Sequence, residues 1–298
     1  MTFANMIDML TVNPCIKTAM KASPHTFDSL LSDKLTTDML PNFIYGSYTG
    51  LAVTVFGLVP TITAMFGKSI LPSLAESCAK NDKKAMQSGL TKMLIVTSII
   101  AIPAGMGIAV LSEPILRFLF GGRETEIQVC IMPMSILGIA VIFLAIATPC
   151  FAILQTLGKP HKAIIIMSAG GIIKLFLNII LIRQPIINIS GAAISTLVSE
   201  VFICVLSVRS VCKMTDLKPK VSEIFVKPTY AAITCSVTAI LSHETLTKIA
   251  HLQINHRFVT LFSIGIGSTM YFFCLYLLCE TPKNIVNYIF SKKNPQNP

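Results

Sequence analysis

Two ionisable residues lie inside apolar intervals that are otherwise free of charge, which makes them the first candidates for a functional role. Lys174 is eleven residues beyond Ala163, and Glu200 is ten residues beyond Ser190. At the rise of an α-helix, these offsets place the two side chains about 15–16 Å from the starts of their helices. A charge at such a depth in a membrane costs about 2.5–3.5 kcal/mol and is usually paired or faces an aqueous cavity.

The two predicted helices are joined by the short segment 184–189, so they run antiparallel and bring Lys174 and Glu200 to similar depth. The two charges can neutralise each other directly, or through Asn178, which follows Lys174 by one turn on the same helical face. Two interpretations stay open. The residues form a salt bridge that only packs the helices, or at least one of them lines a polar cavity through which a substrate passes.

The N-terminal segment has a similar polar character, because Asp8 is followed by Asn13 and Pro14. Too few apolar residues precede Asp8 for a stable membrane span. We therefore expect residues 1–20 to form a partial first helix that Asp8 and the Asn13-Pro14 pair interrupt. The candidate substrate-binding or cavity-lining residues are Lys174, Asn178, Glu200, Asp8 and Asn13.

Catalytic and metal-binding motifs are missing from the sequence. It contains no P-loop, no His-Glu-x-x-His, no Gly-x-Ser-x-Gly and, among nine cysteines, no Cys-x-x-Cys pair. The five histidines are apart from each other, at or outside the ends of the apolar intervals. We therefore expect no enzyme, no metal site and no cofactor. The basic residues lack interleaved aromatic side chains, which argues against a nucleic-acid partner.

The elements that position the candidate residues follow from the hydrophobic pattern. Of 298 residues, 53% are hydrophobic and 13% are charged, and the mean hydropathy is +0.72. About 20 apolar residues cross the hydrocarbon core as a helix. The sequence predicts an all-α, polytopic transmembrane bundle of about eight helices in a single domain, 1–298. Its spans after the partial helix 1–20 are 43–75, 90–111, 127–157, 163–183, 190–209, 226–243 and 258–279, with a tail at 280–298.

Small residues and prolines inside the spans suggest how these helices pack. Gly46 and Gly50 form a small-x-x-x-small pair, which is typical of close helix packing. Pro60, Pro103 and Pro149 lie in apolar intervals. A proline there is tolerated when a neighbouring helix, a hydroxyl or water satisfies the carbonyl group that it leaves free. We therefore expect kinked helices.

The distribution of basic residues predicts an orientation. The segments 76–92, 155–162, 209–227 and 280–298, which the span order places on one side, carry fourteen lysines and arginines, against eight on the other side. The positive-inside rule assigns the basic side to the cytoplasm. Lys80–Lys84, Lys213–Lys220 and the C-terminus are then cytoplasmic, and Asp28–Asp38 and Glu124–Glu126 are outside. The formal net charge of +10 thus reflects the membrane topology. The lipid bilayer is the expected partner of these basic residues.

Several sequence runs, in this order, carry a family resemblance. They are Tyr45-Gly-Ser-Tyr-Thr-Gly-Leu-Ala, Phe56-Gly-Leu-Val-Pro-Thr, Leu71-Pro-Ser-Leu-Ala-Glu-Ser, Leu111-Ser-Glu-Pro-Ile-Leu-Arg-Phe-Leu-Phe-Gly-Gly, Gln155-Thr-Leu-Gly-Lys-Pro, Lys174-Leu-Phe-Leu-Asn-Ile-Ile-Leu-Ile and Gly191-Ala-Ala-Ile-Ser-Thr. The chain resembles the stage V sporulation protein B family. That family is a polysaccharide-transporter branch of the multidrug/oligosaccharidyl-lipid/polysaccharide exporter superfamily, related to the lipid II flippase.

This resemblance implies a flippase in the bacterial cell membrane. It implies a fourteen-helix fold of two lobes around a central cavity, which carries lipid-linked cell-wall or polysaccharide precursors, including lipid II-like substrates, by alternating access. An ion-coupled multidrug exporter of the same superfamily is the alternative. Lys174 and the basic residues at the loop edges suit an anionic pyrophosphate-linked substrate better than a cation. A membrane interaction partner that transports nothing is a further alternative.

The chain differs from this family in length, since family members are roughly twice as long. Residues 5–8 resemble the middle of their seventh helix. Only the C-terminal lobe is then represented, and three explanations compete. The chain is a truncated product, a split half that pairs with a separately encoded first-lobe chain, or a half-transporter that associates with itself.

Overall fold

The computed structural model describes residues 3–23, 36–80, 82–216, 222–250 and 256–278. The predicted tail 280–298 and most of the predicted outer segment Asp28–Asp38 lie outside these residues. Throughout the described part the regular structure is helical. The helices are α1 Phe3–Ala22, α2 Leu40–Ser47, α3 Val53–Phe56, α4 Leu58–Ala79, α5 Lys83–Val110, α6 Ser112–Phe120, α7 Glu124–Thr156, α8 Pro160–Leu181, α9 Ser190–Thr215, α10 Lys227–Ala250 and α11 His256–Leu278. Two π-helical turns, Tyr48–Ala52 and Ser222–Val226, precede α3 and α10.

Seven helical stretches of the described chain are long and apolar enough to cross a membrane. They are Leu40–Met65, Lys83–Val110, Glu124–Thr156, Pro160–Leu181, Ser190–Thr215, Ile224–Lys248 and Val259–Leu277. This confirms the predicted all-α transmembrane bundle. Some helices run beyond the charge-free intervals, because helical hydrogen bonding does not stop where apolar side chains stop. At the start of α5, for example, the Asp82 carboxylate accepts a hydrogen bond from the Ala85 backbone N–H at 3.0 Å and caps the helix.

The first helix is more regular than its sequence predicts. Helix α1 is continuous over 20 residues with Pro14 inside it, so the expected interruption is wrong. Among the described residues α1 is not one of the seven candidate spans, which agrees with the expectation that this segment falls short of a stable span. One face packs inside the protein through Val12, Ile16 and Ala19, while Met9 and Leu10 on the other face are exposed. Since tertiary contacts along one whole face stabilise this helix, the hydrogen bond that Pro14 removes does not break it.

Helix α7 is the centre of the bundle. It contacts α4, α5, α8 and α9, and its buried side chains extend from Ile127 near its start to Leu154 near its end. The N-terminal half of α7 shares one apolar cluster with α1, α2 and α9, while its C-terminal half packs against α4, α5, α8 and α9. The helices that carry the candidate residues are therefore fixed, except α1, to one central helix.

Two of the proline-freed carbonyl groups have hydroxyl partners from other helices. Pro103 removes the hydrogen bond to the Ile99 carbonyl, which accepts one from the Tyr271 hydroxyl of α11 at 2.9 Å instead. Pro149 likewise frees the Ala145 carbonyl, and the Thr63 hydroxyl of α4 approaches it at 3.4 Å. The compensation expected from the sequence is confirmed for these two prolines.

Removing the hydroxyl with Tyr271→Phe should lower the free energy of unfolding by about 1–3 kcal/mol, because a buried carbonyl loses its partner. In a Pro103→Ala background the same change should have little effect, since the backbone N–H that this substitution restores then serves the Ile99 carbonyl. Chemical unfolding in mixed detergent micelles measures both steps. Tyr276→Phe is the matched control, since Tyr276 is exposed on the same helix. Equal losses in the two backgrounds would contradict this role of Tyr271.

Close helix packing occurs elsewhere than the sequence suggests. No atom lies within 4 Å of where a Cβ would stand on Gly46 or Gly50, so the predicted packing role of that pair is wrong for the described residues. The close crossing is between α5 and α7. A Cβ on Gly105 would lie 2.6 Å from the Gly138 carbonyl oxygen, and one on Gly138 would lie 2.5 Å from the Ala109 nitrogen.

Candidate functional site

Three helices bring the candidate residues together. Helices α8 and α9 form an antiparallel hairpin, and α1 lies against α8. Asp8 contacts Lys174 and Asn178, and Thr11, almost one turn later on α1, contacts Asn178 again. Because both sets of contacts advance together, α1 and α8 run in the same direction. We call the contacting residues Asp8, Thr11, Lys174, Asn178 and Ser195 the polar joint.

The centre of the polar joint is a buried ion pair. Lys174 Nζ donates to Asp8 Oδ2 at 2.7 Å, and the two side chains are only 3% and 5% exposed. The hydrogen-bonded ion pair of Lys174 is thus with Asp8 of α1, a partner that the sequence did not predict, while the pairing of Lys174 with Glu200 stays a prediction. A buried pair of this kind holds its helices firmly only while both partners are in place, since either charge alone would be uncompensated.

Asn178 completes the coordination of Asp8. Its Nδ2 donates to Asp8 Oδ1 at 2.9 Å and to Thr11 Oγ1 at 3.0 Å. Its carbonyl oxygen accepts a hydrogen bond from the Ser195 hydroxyl. Both carboxylate oxygens of Asp8 thus have donors, and α1, α8 and α9 are tied through one amide side chain. The predicted position of Asn178 beside Lys174 on one helical face is confirmed.

Thr11 and Ser195 also belong to the polar joint, although the sequence did not predict them. Thr11 is three residues after Asp8, which is a spacing that places two side chains on one helical face. Ser195 lies in the run Gly191-Ala-Ala-Ile-Ser-Thr, but a serine in a span usually bonds its own helix, so the run gave no specific signal. In the structure Ser195 also donates to the Ala192 carbonyl at 2.9 Å.

Glu200 is close to the polar joint but does not belong to it. Its side chain is buried, and its Oε2 atom has no hydrogen-bond partner among the described residues. The Lys174 ammonium lies near enough to act electrostatically on the Glu200 carboxyl group, although its ion pair is with Asp8. The buried Lys174 ammonium thus interacts with two carboxyl groups, those of Asp8 and Glu200.

Asn13 lies apart from these residues. Its Nδ2 donates to Asn42 Oδ1 of α2 at 3.0 Å, on a partly exposed surface. Asn13 is five positions after Asp8, which turns it away from the face that meets α8. The structure thus connects Asn13 to the contact between α1 and α2, while Asp8, Lys174 and Asn178 come together as a group.

The arrangement can hold or release a charge, and shows no sign of bond-breaking chemistry. Within the described residues no group of histidine, cysteine and acidic side chains could hold a metal ion. The polar joint is closed to solvent, since Lys174, Asp8 and Asn178 are all buried.

Comparisons with known proteins point to one family. Residues 43–266 match the family model of the lipid II flippase MurJ. The lipid II flippase MurJ of Bacillus subtilis is 26% identical over 136 residues, which are 46% of this chain and 25% of that protein. A probable low-salt glycan biosynthesis flippase of Haloferax volcanii is 26% identical over 186 residues, 61% of this chain and 38% of that protein. Stage V sporulation protein B of Bacillus subtilis is 22% identical over 182 residues, which are 60% of this chain and 34% of that protein.

Solved structures agree on the fold. The inward closed conformation of a lipid II flippase MurJ matches with a TM-score of 0.61 and 16% identity, over 80% of this chain and 46% of that one. An inward-facing multidrug resistance transporter of the MATE family matches with a TM-score of 0.54 and 15% identity, over 93% of this chain and 60% of that one. The chain thus spans less than two thirds of the length of these curated relatives and solved proteins.

Proposed function

Because the chain belongs to the lipid II flippase MurJ family, we propose that it forms one lobe of a flippase for lipid-linked cell-wall or polysaccharide precursors. The observation that carries this proposal is the polar joint, in which Lys174 of the α8–α9 hairpin binds Asp8 of α1 inside the bundle. A buried ion pair between membrane helices is costly, and in transport proteins such residues mark substrate and ion pathways. Alternating access then opens and closes this joint.

The Lys174 ammonium supports an anionic substrate, once α1 has taken Asp8 away from it. Lys174 is a buried cation, and basic residues at the span ends such as Lys159 and Lys162 add positive charge. Lysine binds phosphate oxygens as a compact point charge. A lipid-linked pyrophosphate sugar carries the charge opposite to that of Lys174, and it can replace Asp8, which neutralises this ammonium while α1 is in place. Asn178, Glu200 and Asn13 stay proposed cavity-lining residues together with Lys174 and Asp8.

A cavity between two lobes needs a second lobe beside the residues described here. The match to 46% of a solved flippase is the size expected for one lobe of a two-lobe protein. We propose that a first lobe completes the transporter in the bacterial cell membrane, whether it belongs to the same polypeptide, is encoded separately or is supplied by a second copy of the chain.

A flipping assay in proteoliposomes tests this function. The chain is reconstituted alone and with a co-expressed first-lobe chain, and transfer of a fluorescent undecaprenyl-pyrophosphate oligosaccharide between leaflets is followed by chemical quenching. We expect flipping that depends on the co-expressed first-lobe chain. It should fall at least about tenfold in Lys174→Ala, the rate change that corresponds to about 1.4 kcal/mol, with Lys83→Ala as the control. Transport of a cationic dye instead would indicate the multidrug exporter. No transport with either lobe arrangement would favour a membrane interaction partner.

We propose that the C-terminus and the basic loops are cytoplasmic. The loop between α4 and α5 carries Lys80, whose pKa is raised by its hydrogen bond to Glu76 and by the charge of that carboxylate, which keeps the ammonium charged at this surface. In a background without native thiols, Ala85→Cys and Thr125→Cys place single exposed thiols at opposite ends of the bundle. An impermeant thiol reagent added outside intact cells should label Thr125→Cys only. Labelling of Ala85→Cys alone would reverse the orientation.

A further inference from the structure

Helices α1 and α2 meet at a polar surface that the polar joint does not use. Asn13 Nδ2 donates to Asn42 Oδ1 at 3.0 Å, and Lys17 follows Asn13 by about one turn on the same face of α1. Gly46 and Gly50 follow Asn42 by about one and two turns along the span Leu40–Met65. We call Asn13, Lys17, Asn42, Gly46 and Gly50 the amide face.

Helix α2 runs antiparallel to α1 at this surface. Asp8, which precedes Asn13 on α1, acts electrostatically on Tyr45, which follows Asn42 on α2. Since the contacts move back along α1 as they advance along α2, the two helices point in opposite directions. Lys17 and the two glycines therefore lie at opposite ends of the amide face, and the pair of amides lies between them.

The π-helical turn Tyr48–Ala52 keeps the amide face on one side of its span. In a regular α-helix, positions four residues apart turn by about 40° at each step. The π turn, in which the Val53 N–H donates to the Tyr48 carbonyl, takes up an additional residue and offsets this drift. Two rows with a spacing of four residues thus stay aligned, the buried Leu40, Ile44, Tyr48 and Ala52 and the exposed Asn42, Gly46, Gly50 and Thr54.

The amide face is open and polar, unlike the exposed surface of α8. Asn42 and both glycines are exposed, and no atom of the described residues lies within 4 Å of a Cβ built on either glycine. The exposed side chains of α8 include the apolar Ile165, Ile172 and Phe176, which suit contact with lipid. Amide groups are costly to expose to hydrocarbon. The amide face therefore fits a polar ligand or an aqueous cavity.

The two amides retain unused hydrogen-bonding capacity. Asn13 Oδ1 is a buried acceptor without a donor among the described residues, which is uncommon in folded proteins. The Asn42 amide nitrogen carries two N–H groups, and neither takes part in the bond from Asn13. A hydroxyl group both donates and accepts hydrogen bonds. Neighbouring hydroxyl groups on a sugar ring thus match an acceptor and a donor that stand side by side, and the glycines leave room for the ring.

We propose that the amide face binds the sugar part of a lipid-linked precursor, with Asn13 and Asn42 hydrogen-bonded to its hydroxyl groups. Lys17, at one end of the face, is complementary in charge to the phosphate groups of such a molecule. This inference rests on the proposed function, because it takes the headgroup of the same substrate as the ligand. It assigns recognition of the sugar to α1 and α2, apart from Lys174 on α8.

Equilibrium binding to the full chain in lipid nanodiscs tests this recognition. One probe is a short prenyl diphosphate that carries N-acetylglucosamine, and the other carries a methyl group in place of the sugar, so that the charges are equal. The wild type should bind the sugar-bearing probe at least about fivefold more tightly, a factor that one or two hydrogen bonds supply. Asn42→Ala should remove this preference and leave binding of the methyl-capped probe unchanged.

Ser268→Ala is the matched control, since Ser268 is an exposed polar residue on α11 whose hydroxyl donates to its own helix at Ile264. This variant should keep the preference for the sugar. Asn42 is exposed, so its replacement should not prevent folding. A wild type without any preference for the sugar-bearing probe, or an Asn42→Ala variant with the full preference, would overturn the proposal.

Thiol labelling in nanodiscs tests whether the amide face is open to water. In a background without native thiols, Gly46→Cys and Ile172→Cys place single exposed thiols on α2 and α8. A charged maleimide should label Gly46→Cys at least about tenfold faster, because the reactive thiolate forms in water and not in hydrocarbon. The sugar-bearing probe should slow this labelling. Equal rates would mean that lipid covers the face, and protection by a co-expressed first-lobe chain without any sugar would mean that a helix covers it. Either result contradicts the proposal.

The binding and flipping assays separate two kinds of failure. If the wild type prefers the sugar-bearing probe and Asn42→Ala does not, but no lipid-linked substrate is flipped, the proposed function fails and the sugar site stands. If flipping is observed but the preference is missing or insensitive to Asn42→Ala, the sugar site fails and the proposed function stands.

Discussion

Lys174→Ala is expected to lower the free energy of unfolding by about 3–5 kcal/mol, the cost typical of breaking a buried ion pair by removing one partner. The variant leaves the buried Asp8 without its counter-ion in the interior of the bundle. Asn178 still donates to Asp8 Oδ1, but one amide does not replace an ammonium. Chemical unfolding in mixed detergent micelles measures the loss.

The double replacement Asp8→Leu/Lys174→Met should recover most of this stability, because apolar residues of similar volume can replace a buried pair without leaving a charge. Flipping should not recover if the pair acts in transport. Lys83→Ala is the matched control. Lys83 pairs with Asp216 at 3.2 Å on the surface, and we expect a change below about 1 kcal/mol. Full transport by the double variant would reduce the pair to a packing contact.

The sequence was sufficient to find the charged residues of the site but not to pair them. Counting along each apolar interval predicted that Lys174 and Glu200 are buried, and both are. Depth alone cannot say which helix lies beside which, or how each helix is rotated. The partner of Lys174 is Asp8, 166 residues away in sequence, and only tertiary packing brings the two together.

The wrong expectation for α1 has a related cause. Insertion costs are assigned to each helix alone, so Asp8 and Pro14 appear to break the segment. In the bundle the Asp8 charge is neutralised by Lys174, and the apolar face of α1 is covered by its neighbours. A residue that is costly in an isolated helix thus becomes a contact that attaches the helix to the rest of the fold.

The sequence predicted that a proline in a span needs a hydrogen-bond donor and that glycines allow close helix packing, but it did not predict which residues do so. The rule that a proline in a span needs a partner for the carbonyl four residues earlier holds for Pro103 and Pro149. Nothing in the sequence selects Tyr271 as the donor for one of them, since it lies 172 residues from Ile99. Similarly, glycine spacing suggested close packing at Gly46, whereas the crossing occurs at Gly105 and Gly138, which belong to different helices.

Gly138→Ala should be strongly destabilising, because the added methyl group meets backbone and not a movable side chain. Its Cβ would lie 2.5 Å from the Ala109 nitrogen, 2.8 Å from the Ala109 Cα and 2.9 Å from the Gly105 carbonyl oxygen. Helices α5 and α7 would have to move apart along a crossing that Ser135 also fixes, by donating to the Ala109 carbonyl at 2.7 Å. Overpacking of this kind typically costs about 1–3 kcal/mol, and occasionally more.

Gly107→Ala is the matched control for this crossing. Gly107 lies on α5 close to Gly105, yet no atom stands within 4 Å of its Cβ position, so alanine should be neutral or stabilising by up to about 1 kcal/mol through helix propensity. Thermal unfolding of purified variants in one detergent compares the two. Because α7 is the central helix, a Gly138 variant should also lose the protection of α9 against hydrogen exchange. If Gly138→Ala and Gly107→Ala unfold at the same temperature, α5 and α7 are not in contact at this crossing, and the packing around α7 described here is wrong.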